Sequence, residues 1–202
     1  VDGERDPSGS RLAAALAAID AVNAGDPVTI EVRGAVRPKE LAHAELMVEW
    51  VQRLDPGATE AQVLAARAHH LRRWSMPRSS YPDGRAGYLR WRTALRKQHA
   101  EEVGGLLAEV GYDEATIARV QQIVGKQGLG QDPQVQVHED ALCLVFLETQ
   151  LADTVDRLGD DKMLDVIAKT AAKMSPDGLA MVAELPLRPS DAELVRRALA
   201  GP

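Results

Sequence analysis

Apolar residues recur three and four positions apart along almost the whole chain, and this periodicity constrains the fold more than any other feature. Leu12, Leu16, Ile19 and Val22 set the pattern, and Gly25 stops it. Pro38 opens a second helix that carries His43, Met47, Trp50 and Leu54 on one face and ends near Pro56-Gly57. Thr59 with Gln62 has the form of a capping box, so a third helix starts there, with Val63, Ala66 and His70 on its inner stripe and His69 beside them. The Pro-, Ser- and Gly-rich segment WSMPRSSYPDG reads as a loop. A long helix from about Arg85 to Val110 then places Tyr88, Trp91, Leu95, His99 and Val103 on one face, and Gly111 closes it. Asp113 caps a helix to about Lys126, GKQGLGQDP is a second loop, and a helix from about Gln134 to Leu158 aligns Asp140, Leu144, Leu147 and Leu151. Shorter helices start at Asp160, at Ser175-Pro176 and at Ser190 with Glu193. Only VTIEVRG alternates like a strand, and it is too short and isolated to imply a sheet.

The expectation is therefore an all-α fold. At 202 residues, with 45% hydrophobic and 27% charged side chains, the chain can bury a sizeable core. Aromatics are only 3%, so Leu, Val, Ile and Ala must build that core. No apolar run approaches the ~20 residues that span a bilayer, which excludes a helical membrane protein. The opening VDGERDPSGS lacks the basic and then apolar regions of a signal peptide. The lone Cys143 lies in the apolar run ALCLVFL and reads as a small core hydrophobe. Together these features lead us to expect a cytoplasmic protein. No linker divides the chain, so residues 1–202 are expected to form one domain. Its core is 38–158, with the N-terminal and C-terminal helices packed on it.

Polar residues break the apolar stripes at informative places. His43, His70, His99 and Asp140 occupy buried stripes on four different helices. An ionised Asp in such a stripe needs a partner, and imidazoles with a carboxylate make a common divalent-metal site. The expected ligands are His43, His69, His70 and Asp140, holding one ion of Mn, Co, Ni, Fe or Zn. Adjacent His69 and His70 would approach the ion from either side of a helix edge. His138 lies about 200° round the helix from Asp140 and is expected to face solvent. Glu139 and His99 are the candidates for moving protons.

Charge is unevenly distributed. The net charge is −6, yet Arg67 to Gln98 holds nine Arg or Lys against Asp83 alone, so that segment carries +8 and the remainder −14. Such a segment attracts anions. Arg binds phosphate with a bidentate fork, and Arg72, Arg73, Arg78 and Arg92 are the expected phosphate contacts. Trp74, Tyr81, Tyr88 and Trp91 offer stacking surfaces nearby, so the expected partner is an anionic small molecule such as a nucleotide. Basic residues interleaved with aromatics also suit single-stranded RNA, which gives a second reading as an RNA-binding protein with a structural metal.

The order His43, His69-His70, His99, Asp140 resembles the HD superfamily of metal-dependent phosphohydrolases, over roughly Pro38 to Leu158. HAEEVGGLLAEVGYDEATI and EDALCLVFLE resemble that superfamily's later segments. The resemblance implies an HD-domain-like helical bundle with a metal between helices. It also implies metal-assisted hydrolysis of a phosphate ester, or, as in other proteins of that fold, metal-dependent oxygenation. His70 stands where the superfamily has Asp, and an imidazole cannot bridge two metals, which implies a mononuclear site. HHLRRW, MPRSSYPDGRAGYLRWR and VHEDALCLVFLE more closely resemble a bacterial and fungal family known as a domain of unknown function, whose fungal members are sometimes labelled glutamyl-tRNA synthetase. The chain has neither the length nor a nucleotide-binding motif for that synthetase activity.

Overall fold

In the computed structural model, which describes residues 7–200, nine α-helices account for most of the chain. Residues 1–6 of the opening segment VDGERDPSGS lie outside the described residues, and residues 7–10 belong to the first helix. The helices are α1 (Pro7–Asn23), α2 (Lys39–Leu54), α3 (Glu60–Arg67), α4 (Gly84–Val110), α5 (Glu114–Val124), α6 (Pro133–Leu158), α7 (Asp160–Ala171), α8 (Pro176–Met181) and α9 (Pro189–Ala200). The fold is all-α, and no helix among the described residues is long and apolar enough to cross a membrane.

The punctuation read from the sequence is where the helices start and stop. Thr59 and Gln62 close a full capping box on α3. The side chains of Asp113, Asp132 and Ser175 accept backbone N–H groups at the starts of α5, α6 and α8. Gly111, at φ +91°, ends α4 in the left-handed conformation that glycine adopts without steric cost.

VTIEVRG differs from its expectation. It folds into a two-stranded antiparallel hairpin, β1 (Thr29–Val32) with β2 (Ala35–Pro38). Arg33 and Gly34 both have positive φ, and such a turn matches the twist of paired strands. Outside the hairpin, Arg33 also pairs with Glu49 and Glu148, which ties the turn to α2 and α6.

Two apolar clusters hold the helices together. Met47 and Trp50 of α2 pack with Leu144, Leu147 and Leu151 of α6, and with Met163, Ile167 and Leu194 of the C-terminal helices. Ile19 of α1, Leu64 of α3, Val103 and Leu107 of α4, and Ile123 of α5 form the other cluster. The histidines stand on elements from both groups, so the polar site lies where the two apolar halves meet.

Candidate metal centre and cleft

Glu40, His43, His69 and His70 each present one ligand atom, and these atoms all lie within 4.8 Å of one another. Three histidines of the expected ligand set are thus brought together, and the carboxylate among them is Glu40. Asp140 is directed elsewhere. Its Oδ1 accepts from Ser175 N and Gln136 Nε2, both at 2.9 Å, and its Oδ2 accepts from Ser175 Oγ at 2.6 Å. It also lies against Gly178, where a Cβ would come within 2.6 Å of the Asp140 carboxyl carbon. Asp140 therefore anchors the start of α8, and its burial is explained by those donors.

Glu40 shares a buried face of α2 with His43 and Met47, one and two turns on. That spacing is the signal in the sequence that would have found it. Its backbone N–H is held by Asp26 Oδ2 at 3.0 Å, and Asp26 Oδ1 accepts from Val28 N at 2.9 Å. Asp26 thus supplies the acceptor that the N-cap residue Pro38 cannot.

His69 and His70 are not on a helix. α3 ends at Arg67, and the chain turns, with Leu71 N donating to Ala68 O, before Arg72 takes a left-handed φ of +50°. Adjacent side chains on a helix diverge by about 100°. Leaving the helix lets both rings lie side by side, with centroids 4.1 Å apart.

Second partners set the tautomers. His69 Nδ1–H donates to Ala66 O at 3.1 Å, and His99 Nδ1–H donates to Leu71 O at 2.8 Å. Thr149 Oγ1 gives its hydrogen to Val145 O at 2.7 Å, so it accepts from His43 Nε2–H at 3.1 Å. His43 Nδ1 then turns a lone pair towards Glu40 Oε2, 3.8 Å away. Two acceptors facing each other in a buried site are reconciled by a proton or a metal cation between them, and a fixed outer hydrogen bond is how metal-ligating imidazoles are held. His69 Nε2, fully buried, has no hydrogen-bond partner among the described residues. Ligands about 2.1 Å from an ion lie about 3.4 Å apart at tetrahedral angles and at most about 4.2 Å apart, so a cluster spanning up to 4.8 Å holds one ion once its side chains draw together.

Electrostatics agree with that use. Burial pushes the His69 imidazole well below its ordinary value and His70 down to about 3, with only partial opposition from the Glu40 carboxylate. Burial lowers His99 to about 4 and His138 to about 3. These rings are neutral at pH 7, the form that ligates metals. At Glu40 burial opposes ionisation, but the His70 imidazole beside it outweighs burial and holds the carboxyl well below the usual range.

The consecutive residues His138, Glu139 and Asp140 point to three different places. His138 is 2% exposed, not solvent-facing as expected, because the turn after α3, α4, the end of α5 and the loop that follows it enclose this part of α6. It lines a small cavity of about 60 Å³ with His69, His70 and His99, and its Nδ1, like His99 Nε2, is buried without a partner among the described residues. Glu139 faces a larger cleft and pairs there with Lys126. Asp140 faces α8.

That cleft, about 860 Å³, is lined by Glu40, His43 and His70, with Arg73, Arg92 and Lys126 beside them. Leu142, Phe146 and Val166 form an apolar wall. Tyr88, expected in the apolar stripe of α4, is 43% exposed on the cleft, and Arg92 lies over its ring. Arg73 stacks over Trp91, whose indole N–H donates to Met76 O at 2.9 Å.

Two of the expected phosphate contacts lie elsewhere. Arg78 spends its guanidinium on the carbonyls of Tyr81 and Pro82, at 2.8 and 2.9 Å, which holds the segment between the 3-10 turn Arg78–Ser80 and the start of α4. Arg72 points to Glu102 at 3.9 Å and does not line the cleft. His99 lines the inner cavity, and its bond to Leu71 O braces the turn that carries the His pair. Cys143 is buried, and burial pushes its thiol up to about 12, as suits a core residue.

Fold and site together define an all-α protein with a buried His/Glu cluster, able to hold a metal ion, beside a cationic cleft. The family described as domain of unknown function (DUF4202) matches residues 13–195, and the chain belongs to it. Comparisons with curated proteins and with solved structures found no match.

Proposed function

We propose that Glu40, His43, His69 and His70 hold one divalent ion, and that the protein is a metal-dependent phosphohydrolase acting on a small phosphorylated substrate such as a nucleotide. The observation that carries this reading is the buried cluster of Glu40, His43, His69 and His70, with ligand atoms all within 4.8 Å of one another, at the border of a cation-lined cleft.

A bound ion would lower the pKa of a water and polarise a phosphoryl oxygen. Arg73 and Arg92 stand beside the cluster and suit bidentate contacts to phosphate oxygens. Glu139, paired with Lys126 at the cleft wall, would take the proton of the attacking water in this reading. Tyr88, Leu142 and Phe146 give an apolar surface for the rest of the substrate. His99 then acts by positioning the His69-His70 turn.

The test is elemental analysis of the purified protein, followed by phosphate release from a nucleotide and sugar-phosphate panel with Mn²⁺, Co²⁺, Ni²⁺, Fe²⁺ or Zn²⁺. About one ion per chain, with release abolished in His70→Ala and Glu40→Gln, supports the reading. Absence of both metal binding and release across the panel overturns it.

A further inference from the structure

The cleft holds more positive charge than one phosphate monoester can balance. Seven Lys or Arg residues line it against two glutamates, in a chain of net charge −6. One glutamate belongs to the His cluster, and the other is paired with Lys126. Several arginines outside the cleft find carboxylates: Arg37 has Glu45, Arg67 has Asp20, Arg119 has Asp132, and Arg188 has Asp191. In the cleft, Lys39, Arg85, Arg92 and Lys173 have no acidic partner among the described residues. They stand on three walls: the start of α2, the first turns of α4, and the segment after α7. Converging like charges without counter-charge raise the free energy of the folded state, and a multivalent anion relieves that cost.

Size and shape limit the anion. Residues from Glu139 to Gln150 of α6 border the cleft, which at 1.5 Å per residue is about 16 Å of helix. A volume of about 860 Å³ belongs to the small-molecule range. The wall of Leu142, Phe146 and Val166 suits an uncharged body attached to the charged part.

We infer that the cleft selects a small organic anion bearing two or more phosphate groups, with Lys39 and Lys173 contacting phosphates beyond the one at the His cluster. The inference takes the place of the substrate from the phosphohydrolase reading, but it concerns binding and is measurable without turnover.

Calorimetry on the full chain, chelator-treated and then Mn²⁺-loaded, would compare inorganic phosphate, pyrophosphate and tripolyphosphate. The same titrations would use adenosine mono-, di- and triphosphate. The expected result is a rise of at least tenfold in affinity from one phosphate to three, before and after metal loading, with a steep fall as salt increases. Lys39→Met and Lys173→Met, each checked for an unchanged melting temperature, should lower triphosphate affinity about tenfold and leave orthophosphate affinity unchanged. Equal affinity for mono- and triphosphates overturns the inference, as does unchanged triphosphate binding in both variants. Affinity for single-stranded RNA that grows with length past the reach of the cleft also overturns it. Graded binding without phosphate release under any metal would sink the phosphohydrolase reading and leave this inference standing. Release from monoesters with a flat affinity series would do the reverse.

Discussion

Glu40 Oε2 lies 3.2 Å from His70 Nδ1, joining the first turn of α2 to the turn that follows α3 across thirty residues of sequence. His43 Nδ1 approaches the same oxygen at 3.8 Å. One carboxylate is therefore the common neighbour of two imidazoles.

Replacing Glu40 by Gln keeps shape and removes the only carboxylate of the cluster. Metal affinity should fall at least a hundredfold by calorimetry. Asp140→Asn should leave metal content unchanged. It weakens the acceptor for Ser175 N and Oγ, so it should cost about 1–3 kcal/mol of stability, read as a lower melting temperature. If Asp140→Asn strips the metal and Glu40→Gln does not, the ligand assignment is reversed.

Metal removal should destabilise the protein. A ligand at a hundred times its Kd stabilises the folded state by about 2.7 kcal/mol, so chelation should lower the melting temperature by several degrees. Ala variants of His43 and His69 should melt at the same temperature with and without added metal.

The buried histidines predict acid lability. Burial places His70 and His138 at about 3 and His99 at about 4, below the usual value of an exposed imidazole. The unfolded chain then binds more protons than the folded one between those values and about 6.5, so stability rises with pH across that window. As pH falls below about 6.5, each such ring should cost about 1.4 kcal/mol per pH unit. Denaturant titrations from pH 7.5 to 4.5 check the slope. His138→Gln should flatten it, and an unchanged slope in that variant would contradict the burial assignment.

The arginines should separate into two groups. Arg92→Lys keeps the charge and loses the planar fork, at a cost of roughly 1.5–3 kcal/mol for a charged hydrogen bond, or about ten- to a hundredfold in phosphate-analogue affinity. Arg78→Ala should leave that affinity intact and lower stability, because it frees the carbonyls of Tyr81 and Pro82.

Most of the helices were legible in the chain alone. The three- and four-residue spacing, the Thr59/Gln62 box and caps such as Asp113 and Gly111 are local devices, and local hydrogen bonding sets where a helix starts and stops. His43, His69 and His70 were recognisable as a set because polar residues on apolar stripes need partners wherever those stripes lead. Which carboxylate joins them was not local information. Glu40 and Asp140 are both acids on buried stripes, and only the packing of α2 against the turn after α3, and of α8 over α6, separates ligand from anchor. The same holds for His138, which periodicity placed outside. Periodicity gives direction around one helix, but burial depends on which neighbours surround it. Charge content likewise located the basic segment but not the cleft, because Lys39, Lys126 and Lys173 join Arg92 only through the tertiary fold.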